Sequence, residues 1–105
     1  MVSKTLINSA PVYLFSQYTS SAPETKSQTV DLTNYTFLMF IVVYGNSGKE
    51  YVFTPKQFFV NSATSEDSSF NLYWGEYIFK VYYNSGKIYV NFANGVYIKL
   101  DVYGW

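Results

Sequence analysis

The chain reads as all-β: an antiparallel β-sandwich, Ig-like or jelly-roll-like, of about seven to nine strands ending in a C-terminal three-stranded meander. Three observations carry that reading. Residues 77–105 alternate apolar and polar side chains through three segments, 77–83, 87–92 and 96–103, separated by NSGK and ANG. Alternation of this length belongs to half-buried antiparallel strands. Residues 35–44 are apolar on both faces of a would-be strand, which places that strand centrally, and no longer stretch has helical periodicity.

The turns fix a register for the meander. With Ser85-Gly86 as a two-residue loop, Tyr83 faces Ile88, Val81 faces Val90 and Phe79 faces Phe92. A two-residue loop at Asn94-Gly95 would set Phe92 against Tyr97 and turn the next strand over. A three-residue loop, Ala93-Asn94-Gly95, instead pairs Phe92 with Val96, Val90 with Ile98 and Ile88 with Leu100. Gly95 would then take the left-handed conformation that closes such a loop.

Taken in order, residues 1–10 form a polar, flexible N-terminal arm, and residues 11–105 make one domain. Pro11 precedes a short strand over 12–15. Residues 19–27 read as a loop, and 28–32 as a short strand with Val30 and Leu32 inward. After the central strand, residues 45–49 turn the chain, and 51–53 return until Pro55 ends the pairing. The tetrapeptide NSGK occurs at 46–49 and again at 84–87; reuse of a good turn explains this better than duplication. Residues 58–60 look like another short strand, 61–69 like a mobile polar loop, and 70–74 like a strand broken by Gly75.

Length and composition bound the function. One hundred and five residues with an initial Met fit a small single-domain product with a core that needs no staples. Cys, His and Arg are absent, and seven lysines balance seven carboxylates. Without Cys or His there are no disulfides, no thiolate or imidazole metal ligands, and none of the commonest general base. Zero net charge argues against nucleic-acid and anionic-membrane partners. The first ten residues have no apolar core of a signal peptide, and the run at 36–44 is too short to span a bilayer as a helix.

No constellation points to catalysis, a cofactor or a metal. Glu66 and Asp67 among serines match no calcium-loop spacing and read as a solvated loop. Glu50 and Glu76 form an acid/base pair only if the fold brings them together. Each NSGK lacks the glycines and helix of a phosphate loop. What stands out is the aromatic share, 22 %, with twelve Tyr, more than a small core absorbs. Tyr combines an apolar ring with a hydroxyl and suits interfaces. The candidate contact residues for a partner or glycan are Tyr73, Trp74, Tyr77, Tyr82, Tyr89, Tyr97 and Trp105. The first three cluster around Gly75, and Tyr82, Tyr89 and Tyr97 share the outer face of the expected meander.

Two stretches, VDLTNYTFLMFIV at 30–42 and IKLDVYGW at 98–105, resemble the β-domains of bacteriophage tail fibres, the second their terminal strand with its Tyr-Gly ending. The resemblance implies a non-enzymatic structural protein on the exterior of the virion. Shaft repeats, coiled-coil heptads and a head-binding region are missing. A small capsid decoration (auxiliary) protein or fibre-associated subunit therefore fits best, oligomeric in the particle and bound to other virion proteins. The different-class alternative is a carbohydrate-binding or host-receptor-binding module whose exposed Tyr and Trp rings stack on a host-surface glycan.

Overall fold

The computed structural model describes residues 10–46, 48–94 and 97–105. Two four-stranded antiparallel sheets pack face to face. The first has the order β1 (Val12–Thr19), β8 (Ile98–Gly104), β3 (Phe37–Tyr44), β4 (Gly48–Pro55). The second has the order β2 (Glu24–Thr29), β7 (Lys87–Phe92), β6 (Tyr77–Asn84), β5 (Phe70–Trp74). The all-β sandwich is therefore correct, with eight strands among the described residues. The pairs β1–β8 and β2–β7 lie in opposite sheets, a jelly-roll-like wrap. An Ig-like order would keep the first two strands in one sheet.

The inner faces make one core. Leu38, Phe40 and Val42 of β3 and Ile98, Leu100 and Val102 of β8 meet Phe79 and Val81 of β6 and Ile88, Val90 and Phe92 of β7, all buried. Burying a side chain of this size stabilises by ~1.5–3 kcal/mol each. The β6–β7 register is as expected: Phe79↔Phe92, Val81↔Val90 and Tyr83↔Ile88. Ser85 (φ 53°) and Gly86 (φ 78°) both take positive φ, the signature of the two-residue turn whose twist suits a hairpin.

The three-stranded meander does not form. β8 leaves the second sheet and enters the first, pairing Ile98 with Thr19 and Tyr44, and Leu100 with Gln17 and Val42. The free edge of β7 goes to β2, with Val90↔Lys26 and Ile88↔Gln28. Alternation specifies which side chains are buried and is silent on which sheet buries them. Both inner faces of a sandwich satisfy it equally. Asn94 is tied back to the β5–β6 turn, its side-chain oxygen accepting from Ile78 N and its amide donating to Glu76 O. The positive φ expected at Gly95, the Phe92/Val96 pair and nearly all of the 1–10 arm lie outside the described residues.

Three further assignments change. The strand expected over 12–15 runs on to Thr19, and the loop expected over 19–27 shrinks to the connection at 20–23. The strand expected over 28–32 is β2, displaced to Glu24–Thr29. Its sequence ETKSQT has no apolar face because it is an edge strand, so nothing marked it. Leu32 is buried in the connection that follows, where Val30 N bonds Gly86 O and Asp31 accepts from Thr33 N and Oγ1. Residues 58–60 belong to a helix, α1 (Lys56–Ser62), and not to a strand. Pro55, in an extended conformation (φ −56°, ψ 133°), closes β4, and Lys56 N caps onto Thr36 O. One helical turn then sends Phe59 alone into the core, against Phe40 (centroids 5.0 Å apart) and Phe70 (5.2 Å), while Phe58 stays exposed. A run of three apolar residues is too short to distinguish the two periods.

The two NSGK segments also diverge. At 84–87 the loop has two residues, with Asn84↔Lys87, whereas near 46–49 Tyr44 pairs with Gly48 across three. The shared tetrapeptide is a reused turn sequence in two different turns. The loop after α1 is anchored at its start, with Ala63 buried and its carbonyl accepting from Tyr83 N.

Candidate interaction surfaces

β3 is central, as its double-sided apolar pattern requires, but among the described residues no element covers its second face. Register across the first sheet builds that outer face row by row. One row is Tyr13, Tyr103, Met39 and Phe53. The next is Ser16, Asp101, Ile41 and Tyr51, and the third is Tyr18, Lys99, Val43 and Lys49. Tyr13 stacks edge-on against Tyr103 at 5.6 Å, Phe53 lies over Phe37 at 5.2 Å, and Trp105 meets Phe53 edge-on at 5.4 Å. Tyr13, Tyr18, Tyr51 and Phe53 are each roughly half exposed, with Phe53 at 57 %. Ile41 at the centre is buried by its neighbours, Met39 and Val43 are partly buried, and the exposed rings stand among Ser16, Asp101, Lys99 and Lys49. Monomers rarely leave so many large apolar side chains on one face to solvent.

A small polar network sits in the middle of this face. Tyr13 Oη and Ser16 Oγ are 2.7 Å apart, Ser16 Oγ donates to Asp101 Oδ1 at 2.6 Å, and Lys99 Nζ lies 3.5 Å from the same oxygen. Asp101 is thus partnered within the sheet, so covering this face would not leave its charge unpaired.

The seven candidate contact residues fall in separate places. Tyr82 and Tyr89 share the outer face of the second sheet, stacked with centroids 4.9 Å apart and planes 3° from parallel. Burial, then the charge of Glu66 and the neighbouring Tyr89, hold the Tyr82 hydroxyl above its ordinary range. Tyr73 lies on the same outer face, directly opposite Ile78, with the row Asn71, Lys80 and Asn91 beside it. Tyr97 does not join them, because β8 belongs to the other sheet. It stands exposed beside Tyr18 at the end of the first sheet, with φ 59° and its N–H on Thr19 O. Trp105 docks on Phe53.

Trp74 and Tyr77 turn away from Tyr73. They are a cross-strand pair flanking the two-residue loop Gly75-Glu76, and both pack on Tyr44 of β3, at 6.4 and 6.2 Å. Gly75 (φ 59°) stands first in the loop, where such a turn needs positive φ. Here the fold does bring Glu50 and Glu76 to one cleft of about 420 Å³, walled by Trp74, Gly75 and Tyr77.

Tyr13, Tyr18, Met39, Tyr51, Phe53 and Tyr103 were not singled out from the sequence. The signal was present in the second apolar face of residues 35–44, which reads as a buried layer until the number of layers is known. No family model, curated protein or solved structure matches this chain.

Proposed function

We propose that this chain is a non-enzymatic adhesion domain of the exterior of a bacteriophage particle, a capsid decoration protein or fibre-associated subunit. It docks on another virion protein through the outer face of the first sheet. The observation that carries the docking is β3: a strand apolar on both faces belongs in a three-layer arrangement, and the described chain supplies two layers. The partner is the third layer. Aromatic rings around an aliphatic strip of Met39, Ile41 and Val43 are the composition of an interface centre.

The phage context rests on the two resembling stretches. They become neighbours in the fold, β3 beside β8, with Phe40 opposite Val102. Their two most characteristic residues also touch: a Cβ on Gly104 would lie 2.9 Å from the ring of Tyr35. The glycine of the Tyr-Gly ending is thus the seat of the aromatic that precedes the central strand. The glycan alternative is weaker, because the candidate rings are dispersed. Its one close pair on the outer face of the second sheet, Tyr82 and Tyr89, turns ring faces to each other and not outward.

The test is mass spectrometry of purified particles carrying either the wild-type chain or Tyr51→Lys/Phe53→Lys. Lysines on the exposed edge strand β4 are compatible with folding. The wild type should be present in stoichiometric amounts and the variant depleted. Equal incorporation of both would overturn the docking face, and absence of the wild type from particles would overturn the virion reading.

A further inference from the structure

The cleft between the edge strands β4 and β5 is lined by Glu50, Trp74, Gly75, Glu76 and Tyr77. Its volume, about 420 Å³, is in the range of small-molecule sites, ~300–1,000 Å³. Three features of it belong together. Two carboxylates line it, and neither has an ion-pair or hydrogen-bond partner for its side chain among the described residues. No basic side chain lines it, since Lys49 and Lys99 lie on the opposite face of the first sheet. An indole and a phenol form its walls, backed by Tyr44 so that they are held in place.

We propose that this cleft binds an organic cation through its ammonium group. The carboxylates supply negative charge with no internal counter-ion, and aromatic rings attract a cation through their quadrupoles where a hydrated anion or neutral polar group gains nothing comparable. A bare divalent metal fits less well. Calcium takes ~6–8 oxygen ligands, and no group of three or more metal-ligating side chains gathers among the described residues. A neutral sugar fits less well too. Its hydroxyls need donors as well as acceptors, and this lining is rich in acceptors. The site is independent of the docking face, which lies on the other side of the first sheet.

The experiment is an NMR titration of the intact chain, following the assigned Trp74 indole N–H at constant ionic strength. n-Butylammonium chloride is the probe, with calcium chloride and methyl glucoside as parallel arms. Saturable shifts are expected with the ammonium, with millimolar affinity. In Glu50→Gln/Glu76→Gln the affinity should fall about tenfold or more, while this double variant keeps the wild-type spectrum elsewhere because the two side chains are exposed. Absence of saturation by about 0.1 M ammonium, undiminished binding in the double variant, or tighter binding of calcium or glucoside would each overturn the proposal.

Discussion

Gly104→Ala tests the packing at the heart of the first sheet. Gly104 is buried on the inner face of β8, opposite Leu38, with no positive φ, so alanine is conformationally acceptable there. By backbone entropy alone the change would stabilise by ~0.4–1 kcal/mol. The added methyl, however, would stand 2.9 Å from Tyr35 Cδ1 and Cγ and 3.3 Å from Leu14 Cδ1. Carbon contacts prefer ~3.5–4.0 Å, and overpacking of this kind costs ~1–3 kcal/mol. The balance is a net loss of ~1–2 kcal/mol, or about 5–10 °C in Tm for a domain of this size. Thermal and urea unfolding by circular dichroism would measure it. In a Tyr35→Ala background the clash is largely gone, and the same Gly104→Ala change should be neutral or stabilising. A cost equal in both backgrounds, or a gain in the wild type, would refute the packing argument.

Three other outcomes follow from geometry. Phe59→Ala should cost ~3–5 kcal/mol in urea, as a fully buried ring wedged between Phe40 and Phe70. Tyr51→Ser, on a ring 58 % exposed, should cost less than ~1 kcal/mol; a large loss there would mean the outer face is part of the monomer's core. Ser85→Asn should raise the urea midpoint by the equivalent of ~0.5 kcal/mol, because Asn tolerates the positive φ (53°) better than Ser. The Asp31 carboxylate is held below its ordinary value first by the Thr33 hydroxyl and then by the Thr33 N–H. Its contribution to stability is therefore complete above the ordinary Asp range and lost as pH falls through the lowered folded value. A carboxyl NMR titration should show the low midpoint, and Thr33→Val should raise it.

What could be read from the chain divides along physical lines. The β6–β7 register was legible because Ser85-Gly86 admits one loop length that keeps both apolar sets on one face. β5 and β3 were legible from short, bounded apolar runs. The placement of β8 was not, since Ile98, Leu100 and Val102 satisfy either inner face and only the competition for edges decides. β2 was invisible because an edge strand with polar residues on both faces has no period to detect. At the candidate surfaces the surplus of Tyr was legible as a count. Which rings share a face depends on cross-strand register, so Tyr97 was placed with Tyr82 and Tyr89 when it belongs beside Tyr18. The meeting of Glu50 with Glu76 depends on the crossover through α1, which no local pattern announces.

The insertion of β8 between β1 and β3 has a consequence in time. The hairpins β5–β6, β6–β7 and β3–β4 join neighbours in sequence and close within microseconds once the chain explores them. The first sheet cannot close this way, because β1 and β3 have no direct pairing and must wait for a strand that emerges some eighty residues after β1. We predict that pulsed hydrogen exchange will find β6 and β7 amides protected before those of β8. During that delay β3 is bare on both faces and along one edge. A chain halted at residue 97 should therefore aggregate in proportion to its concentration, whereas a full chain that stays monomeric while refolding just as slowly would argue against β8 as the closing step.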